Sequence, residues 1–326
     1  MAAVRRVIPF FYALFAAPGE ERSDFPVGGQ AVLEGVMMRA REHFSIAVRK
    51  PDGKLVLKRK PYCSWTRRVR ALGLPFLRGG VILIESLVLG IQALNFSSTV
   101  LMPEVADRKK KDKRKADSAS QWMTAGIIIL SFGIVIGLFF YLPLLITGWT
   151  GIQDGILFNL VDGCLRLSLF LAYLLLINLM KDIRRVFEYH GAEHKVIHAY
   201  EAGLPLTVGE ARKFTTHHPR CGTSFLLIVM LVSILVFVFL GRPQDMTDRL
   251  IRFLFLPVIV GISYEIIRLS HSRFGRWLSR TLILPGLWMQ ALTTREPDES
   301  QMEVAIVALK AALDIEIPDS PSIETV

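Results

Sequence analysis

Four long apolar runs, residues 122–146, 156–180, 221–240 and 250–267, constrain this chain more than anything else in it. Each is about the length an α-helix needs to cross a hydrocarbon core of roughly 30 Å. Backbone polar groups find no partners in lipid, so such runs must satisfy their own hydrogen bonds as helices. The sequence therefore predicts a membrane protein, mainly α, with about four transmembrane helices. Composition agrees: 52% of the 326 residues are hydrophobic and the mean hydropathy is +0.40, too apolar for an ordinary soluble domain.

The net charge of +10 is distributed unevenly, and its pattern gives an orientation. Residues 181–220 form a long basic segment, and Arg268, Arg273, Arg276 and Arg280 follow the fourth run, whereas residues 147–155 contain neither Lys nor Arg. Basic segments stay on the cytoplasmic side, which predicts four crossings of the cytoplasmic membrane with both termini inside. The same basic surface would attract anionic lipid headgroups. No nucleic-acid-binding motif accompanies it, so nucleic acid is not an expected partner. Gly126, Gly133 and Gly137 in the first span permit close helix contacts, within one chain or between copies in a homo-oligomer.

Residues 79–102 form a further apolar stretch, flanked on both sides by basic residues: Arg67, Arg68, Arg70 and Arg78 before it, and the lysine-rich run 108–115 after it. Both flanks belong in the cytoplasm, so a re-entrant or in-plane helix is expected, which also keeps Glu85 out of lipid; a true span is the alternative. Ahead of it, alternating residues on either side of Pro51-Asp52-Gly53 predict a β-hairpin, with Ile46 and Val48 facing one way and Leu55 and Leu57 on the return strand. At the other end, Met302, Ala305, Ile306, Leu309 and Leu313 recur at helical spacing, so residues 299–313 should form an amphipathic helix.

The resulting division is an N-terminal membrane-surface segment (1–27, with a signal-peptide-like apolar run over 1–17), a small basic cytoplasmic α+β portion (28–72), the in-plane or re-entrant helix (73–102) and a basic linker (103–120). Spans one and two (121–180), a histidine-rich cytoplasmic loop (181–223), spans three and four (224–268) and a cytoplasmic tail (269–326) complete it. The three cysteines, Cys63, Cys164 and Cys221, are odd in number and far apart, so no disulfide framework is implied.

Of seven histidines, five fall within residues 190–218. His190, His194 and His198 are spaced by four, which on a helix puts them on one face, and Glu201 shares it. The string His190-Gly191-Ala192-Glu193-His194 follows the His-x-x-Glu-His pattern of inverted zinc peptidases. By that pattern His190 and His194 are ligands of a divalent metal, zinc above all, and Glu193 is the base that takes a proton from water. The third ligand is open among His198, Glu201, His217, His218, Cys221 and Glu265. Cys221 stands at the start of the third run, where a helix N-terminus would favour its thiolate, as ligand or as nucleophile. Glu34 and Arg39 could reach the cluster if the N-terminal portion folds over it, or form a surface ion pair. Glu85 would either pair with Arg78 or point into a functional cavity.

Three motifs, Gly28 to Arg39, Tyr189 to Lys195 and His218 to Phe225, together resemble the YqhQ-like family of bacterial membrane proteins over residues 28–297. That resemblance implies a bacterial membrane location and a family without an assigned function, described in part as predicted metal-dependent enzymes. Two readings follow for the cluster. One is a metal-dependent hydrolase working at the cytoplasmic membrane face. The other is a non-catalytic scaffold, channel or transport component whose histidines bind metal or sense pH.

Overall fold

A computed structural model describes residues 27–103, 118–219, 221–270, 276–317 and 323–325. The signal-peptide-like run, most of the lysine-rich linker and Arg220 lie outside these residues.

The chain opens with two hairpins. β1 (Gly28–Val32) and β2 (Gly35–Arg39) turn at Glu34, whose φ of 50° is left-handed. β3 (His43–Arg49) and β4 (Leu55–Pro61) turn at Pro51-Asp52-Gly53, as the alternation predicted. β5 (Ile323–Thr325), from the far end of the chain, adds in parallel to β4 and completes the sheet in the order β1-β2-β3-β4-β5. Helices follow the hairpins. α1 (Leu77–Leu101) is succeeded by α2 (Ser118–Ile136), a π-helical turn (Gly137–Tyr141) and α3 (Leu142–Trp149). Next come α4 (Gly155–Ile177), α5 (Lys181–Glu201), the single turn α6 (Val208–Ala211) and α7 (Gly222–Leu240). α8 (Met246–Leu254), α9 (Leu256–Ser270), α10 (Arg276–Thr293) and α11 (Glu299–Leu313) end the order. The π turn precedes Pro143, which lacks an amide hydrogen and would crowd the carbonyl one turn back in a regular helix.

Among the described residues, five helical stretches are long and apolar enough to cross a membrane: Leu77–Leu101, Ile129–Trp149, Gly155–Ile177, Gly222–Leu240 and Met246–Leu269. α7 is central among them and packs against α4, α9 and α10. Asp162 and Arg166 pair one turn apart on α4 at 2.9 Å, and Arg252 donates to the Gly241 carbonyl nearby at 2.5 Å.

The stretch expected to be re-entrant or in-plane is one unbroken 25-residue helix, about 37 Å long, with no reversal. Its first turns pack on α9 and its second half lies on the sheet, so it bridges the helical bundle and the β layer. In the tail, α10 packs along α7 and α9.

The sheet is covered on both faces, and strand alternation sorts its side chains between them. Val36, Met38, Ala47, Leu55 and Leu57 join α5 and α11 in one cluster; Val32, Met37, Phe44, Ile46 and Val48 join Leu89 and Ala93 of α1 in another. Ile46 and Val48 therefore lie on the face opposite Leu55 and Leu57. The register explains this: Val48 pairs with Val56, and Ala47 with Leu57.

α11 is amphipathic at the predicted positions, with Met302, Ala305, Ile306 and Leu309 buried against the sheet and α5. It starts with a capping box: the Asp298 side chain accepts from the Gln301 amide at 2.8 Å, and the Gln301 side chain reaches back to the Asp298 amide at 2.9 Å. Asp298→Ala is expected to lower stability by about 1 kcal/mol, measured by thermal unfolding of the detergent-purified protein.

Candidate metal centre

The site is built on α5, wedged between α11, the β1 edge of the sheet and the ends of α7 and α10. α5 runs through His190-Gly191-Ala192-Glu193-His194 without a break, although glycine weakens a helix. The reason lies across the interface. A Cβ on Gly191 would stand 2.0 Å from the Arg295 carbonyl oxygen, so only glycine lets the residue 293–296 segment approach this closely. The approach is fastened by the Arg295 amide, which donates to the Phe187 carbonyl at 2.9 Å.

That segment fixes the first ligand. His190 Nδ1 lies 2.8 Å from the Thr293 carbonyl, and its Nε2 lies 3.2 Å from Cys221 Sγ. His194 Nδ1 lies 2.5 Å from the Thr216 carbonyl. A carbonyl can only accept, so both rings carry a proton on Nδ1 and present Nε2. Metal-binding histidines are usually held this way, by a carbonyl or carboxylate on the far nitrogen. The third group is Cys221, the N-cap of α7, whose thiol caps no amide and faces the two rings. One ligand atom each from His190, His194 and Cys221 lie within 4.8 Å of one another. Tetrahedral zinc with bonds of about 2.0 to 2.3 Å sets its ligand atoms about 3.5 Å apart, so this donor set fits the ion with small adjustments.

Glu193 is buried beside this group. The Gly29 amide donates to its carboxylate, and a Cβ on Gly29 would lie 2.8 Å from its Cδ and Oε1. The Gly28-Gly29-Gln30 motif thus lets β1 close directly onto the carboxylate. Glu193 Oε2 has no partner among the described residues. A buried carboxylate oxygen left unpaired is costly, and that points to a ligand or water as its partner.

Electrostatics at the site are strongly perturbed. Burial raises the Glu193 pKa to about 8, with the His190 charge opposing and the Cys221 charge adding. Burial disfavours a charged His190, but the charge and hydrogen bond of Cys221, helped by Glu193, outweigh it and bring its pKa to about 9. Burial likewise pushes the Cys221 thiol up, yet His190 and His194 hold it well below its ordinary value. Burial lowers His194 and takes His218 to about 4. Cys221 and His190 thus each favour the charged form of the other.

The remaining candidates fall into two sets. His198, His218 and Glu201 form a second group, again with ligand atoms within 4.8 Å of one another. The others do not converge. His217 turns away toward Thr215, and only its carbonyl reaches inward, to His198 Nε2 at 2.9 Å. Glu265 pairs with Arg78 and accepts from the Phe76 amide. Arg78 is taken by Glu265, and Glu85 instead accepts from the Tyr62 and Ser64 hydroxyls and the Trp65 amide. Glu34 binds Arg185 and the Tyr189 hydroxyl, anchoring the first hairpin to α5 upstream of the histidines. Arg39 lies against Tyr62.

Sequence reasoning missed Gln290, which is fully buried. It clamps the His218 peptide, accepting from its amide at 2.7 Å and donating to its carbonyl at 2.8 Å. A lone amide in an apolar helix was the available signal. The carbonyls of Thr216 and Thr293 carry no signal, since any residue supplies one.

Membrane-length helices, a small two-faced sheet and a buried His–Cys–Glu cluster between them define a mainly helical protein with a preformed polar centre. The chain belongs to the family described as protein of unknown function DUF1385, whose profile matches residues 74–315 and so includes the whole cluster. It is 35% identical over 305 residues to the uncharacterized protein YqhQ of Bacillus subtilis (strain 168), covering 89% of this chain and 92% of that one. The family resemblance carried by the three motifs is thereby established. No solved structure matches the chain.

Proposed function

We propose that this protein is a metal-dependent hydrolase of the bacterial cytoplasmic membrane, acting at the cytoplasmic face on a lipid-linked or membrane-embedded substrate. The observation that carries the reading is a carboxylate oxygen of Glu193, buried and unpartnered among the described residues, beside three ligand groups, of which the two histidines are preset by backbone carbonyls. His190, His194 and Cys221 would hold the ion, and their nitrogen and sulfur donors suit zinc. Bound there, such an ion lowers the pKa of water toward 7 and polarises an acyl or phosphoryl oxygen. Glu193 accepts the proton at Oε2 and returns it to the leaving group. Thr293 and Thr216 keep the rings from turning, and the Gly29 amide fixes the other end of the carboxylate. The basic segments around α5 support a cytoplasmic placement. The exposed apolar residues Ile84, Leu87, Ile91 and Leu94 of α1 suit an in-plane helix that rests the sheet on the membrane surface.

A second reading has an observation of its own. His194, Glu193 and Cys221 are each at most 6% exposed, a degree of closure that suits a structural or sensing metal centre.

The hydrolase reading is tested by elemental analysis and mass spectrometry of membrane lipids. Purified wild-type protein should retain zinc, and Cys221→Ser and His190→Ala should each lose it. The expected loss in affinity exceeds the roughly 10–100-fold cost of removing an outer-shell partner. Cells expressing wild type, but not these variants, should show a lipid-linked species consumed. A wild-type protein that retains no metal overturns the reading, and unchanged lipid profiles alongside bound metal favour the second one.

A further inference from the structure

A second polar cluster lies at the other end of the helical bundle, away from the metal centre. Asp162 stands on α4 roughly 24 Å, at 1.5 Å per residue, before Asn178, which donates to the Leu292 carbonyl beside Thr293. Around it the apolar helices bury polar side chains almost completely: Asn159 and Asp162 are each 1% exposed and Arg252 is 7% exposed. Two shared neighbours tie them together. The Gly241 carbonyl accepts from Asn159 at 2.9 Å and from Arg252 at 2.5 Å. The Phe237 ring centroid lies 4.8 Å from the guanidinium carbon of Arg252 and 5.6 Å from that of Arg166, the ion-pair partner of Asp162.

This cluster is incomplete in both charge and hydrogen bonds. Arg166 neutralises Asp162, but Arg252 has no carboxylate within ion-pair distance among the described residues. A buried cation without a counter-charge is costly, and more so between apolar helices. Arg252 Nη1 meets no acceptor, and Asn159 Oδ1 and Asp162 Oδ1 meet no donor, among the described residues. The Asn159 amide cannot turn over to cure this, because its nitrogen already donates to the Gly155 carbonyl at 2.7 Å and to that of Gly241. Buried polar atoms left open in this way call for a bound partner. What is missing is one negative charge with an oxygen for Arg252, and a hydroxyl for the two open oxygens.

We propose that Asn159, Asp162 and Arg252 form a binding site for a phosphate group that carries or adjoins a hydroxyl. Arg252 donates to a phosphate oxygen through Nη1, a contact for which guanidinium is well suited. The hydroxyl donates to Asp162 Oδ1 or Asn159 Oδ1, which sulfate and phosphocholine groups cannot do. Water alone would satisfy the open oxygens and leave the charge of Arg252 unbalanced. Inorganic phosphate has the required chemistry, and so does a phosphatidylglycerol headgroup. A headgroup reaches the site from the end of the bundle, since Arg252 lies about 9 Å from the start of α8. The site shares no residue with the metal centre and does not rest on the hydrolase reading.

The full-length protein in detergent is titrated by calorimetry with inorganic phosphate and, separately, with sulfate. Native mass spectrometry follows its retention of phosphatidylglycerol against phosphatidylcholine. Where the occupant is the free ion, phosphate is expected to bind at least about tenfold more tightly than sulfate, which leaves a buried acceptor unpaired. Preferential retention of phosphatidylglycerol, with no heat from phosphate, identifies the headgroup as the source. Arg252→Gln should abolish whichever binding wild type shows. Asp162→Asn, which offers a donor in place of an acceptor at unchanged shape, should erase the preference for the hydroxyl-bearing ligand. Gel filtration checks that both variants are folded, and the wild-type comparisons stand without them. A wild type that prefers neither phosphate over sulfate nor phosphatidylglycerol over phosphatidylcholine overturns the proposal. A preference that persists in folded Arg252→Gln or folded Asp162→Asn overturns it as well.

Discussion

Glu193→Gln is expected to keep its metal at the wild-type level and to lose turnover by about 10²- to 10⁴-fold, the usual contribution of a positioned acid–base group. The two halves of this result have separate causes. Glu193 is not among the three groups whose ligand atoms converge, so the amide removes no ligand. Gln has the shape of Glu and can still accept from the Gly29 amide, so β1 stays closed on the helix. What the amide cannot do is take up a proton at the buried, unpartnered oxygen. The measurement is paired: zinc content of the purified variant, and consumption of the lipid-linked species that wild type removes. Metal retained with unimpaired consumption would take Glu193 out of the chemistry. Metal lost from the Gln variant would make the carboxylate part of the metal's own support.

How much of this was legible in the sequence depends on how local each signal is. The apolar runs, the hairpin about Pro51-Asp52-Gly53 and the stripe on α11 are local patterns, and each appears where its periodicity put it. The His-x-x-Glu-His string gave the pairing of His190 and His194 on one helix face for the same reason. Non-local partners were not legible. Cys221 as the group facing both rings was one of six open candidates, and nothing in the residue order separates it from Glu265, which is neutralised by Arg78 from 187 positions away. The sheet was half seen because β5 comes from the end of the chain and α1 covers the second face, and neither partner is signalled by the local alternation. Gly29 and Gly191 carry no local signal of what they touch. Their function as points of contact appears once Glu193 and Arg295 are in place against them.

Gly191 gives the sharpest conflict between local preference and packing. On an isolated helix Gly191→Ala should stabilise by about 1 kcal/mol, since alanine is the better helix former. Here the added methyl would meet the Arg295 carbonyl oxygen at 2.0 Å, and the obstacle is backbone that cannot rotate aside. Overpacking of this kind costs about 1–3 kcal/mol, so packing should win and the variant should be less stable by thermal unfolding. Relief of the clash requires the residue 293–296 segment to retreat, and that segment carries the Thr293 carbonyl that orients His190. Zinc affinity should fall together with stability, by the roughly 10–100-fold that loss of such an outer partner costs. Gly191→Val should be worse on both counts. Gly80→Ala on α1 is the control, because its Cβ would meet nothing within 4 Å, and there the helix preference should prevail and stability hold or rise. If Gly191→Ala instead behaves like Gly80→Ala and keeps wild-type zinc affinity, the close contact between α5 and Arg295 is not what fixes His190.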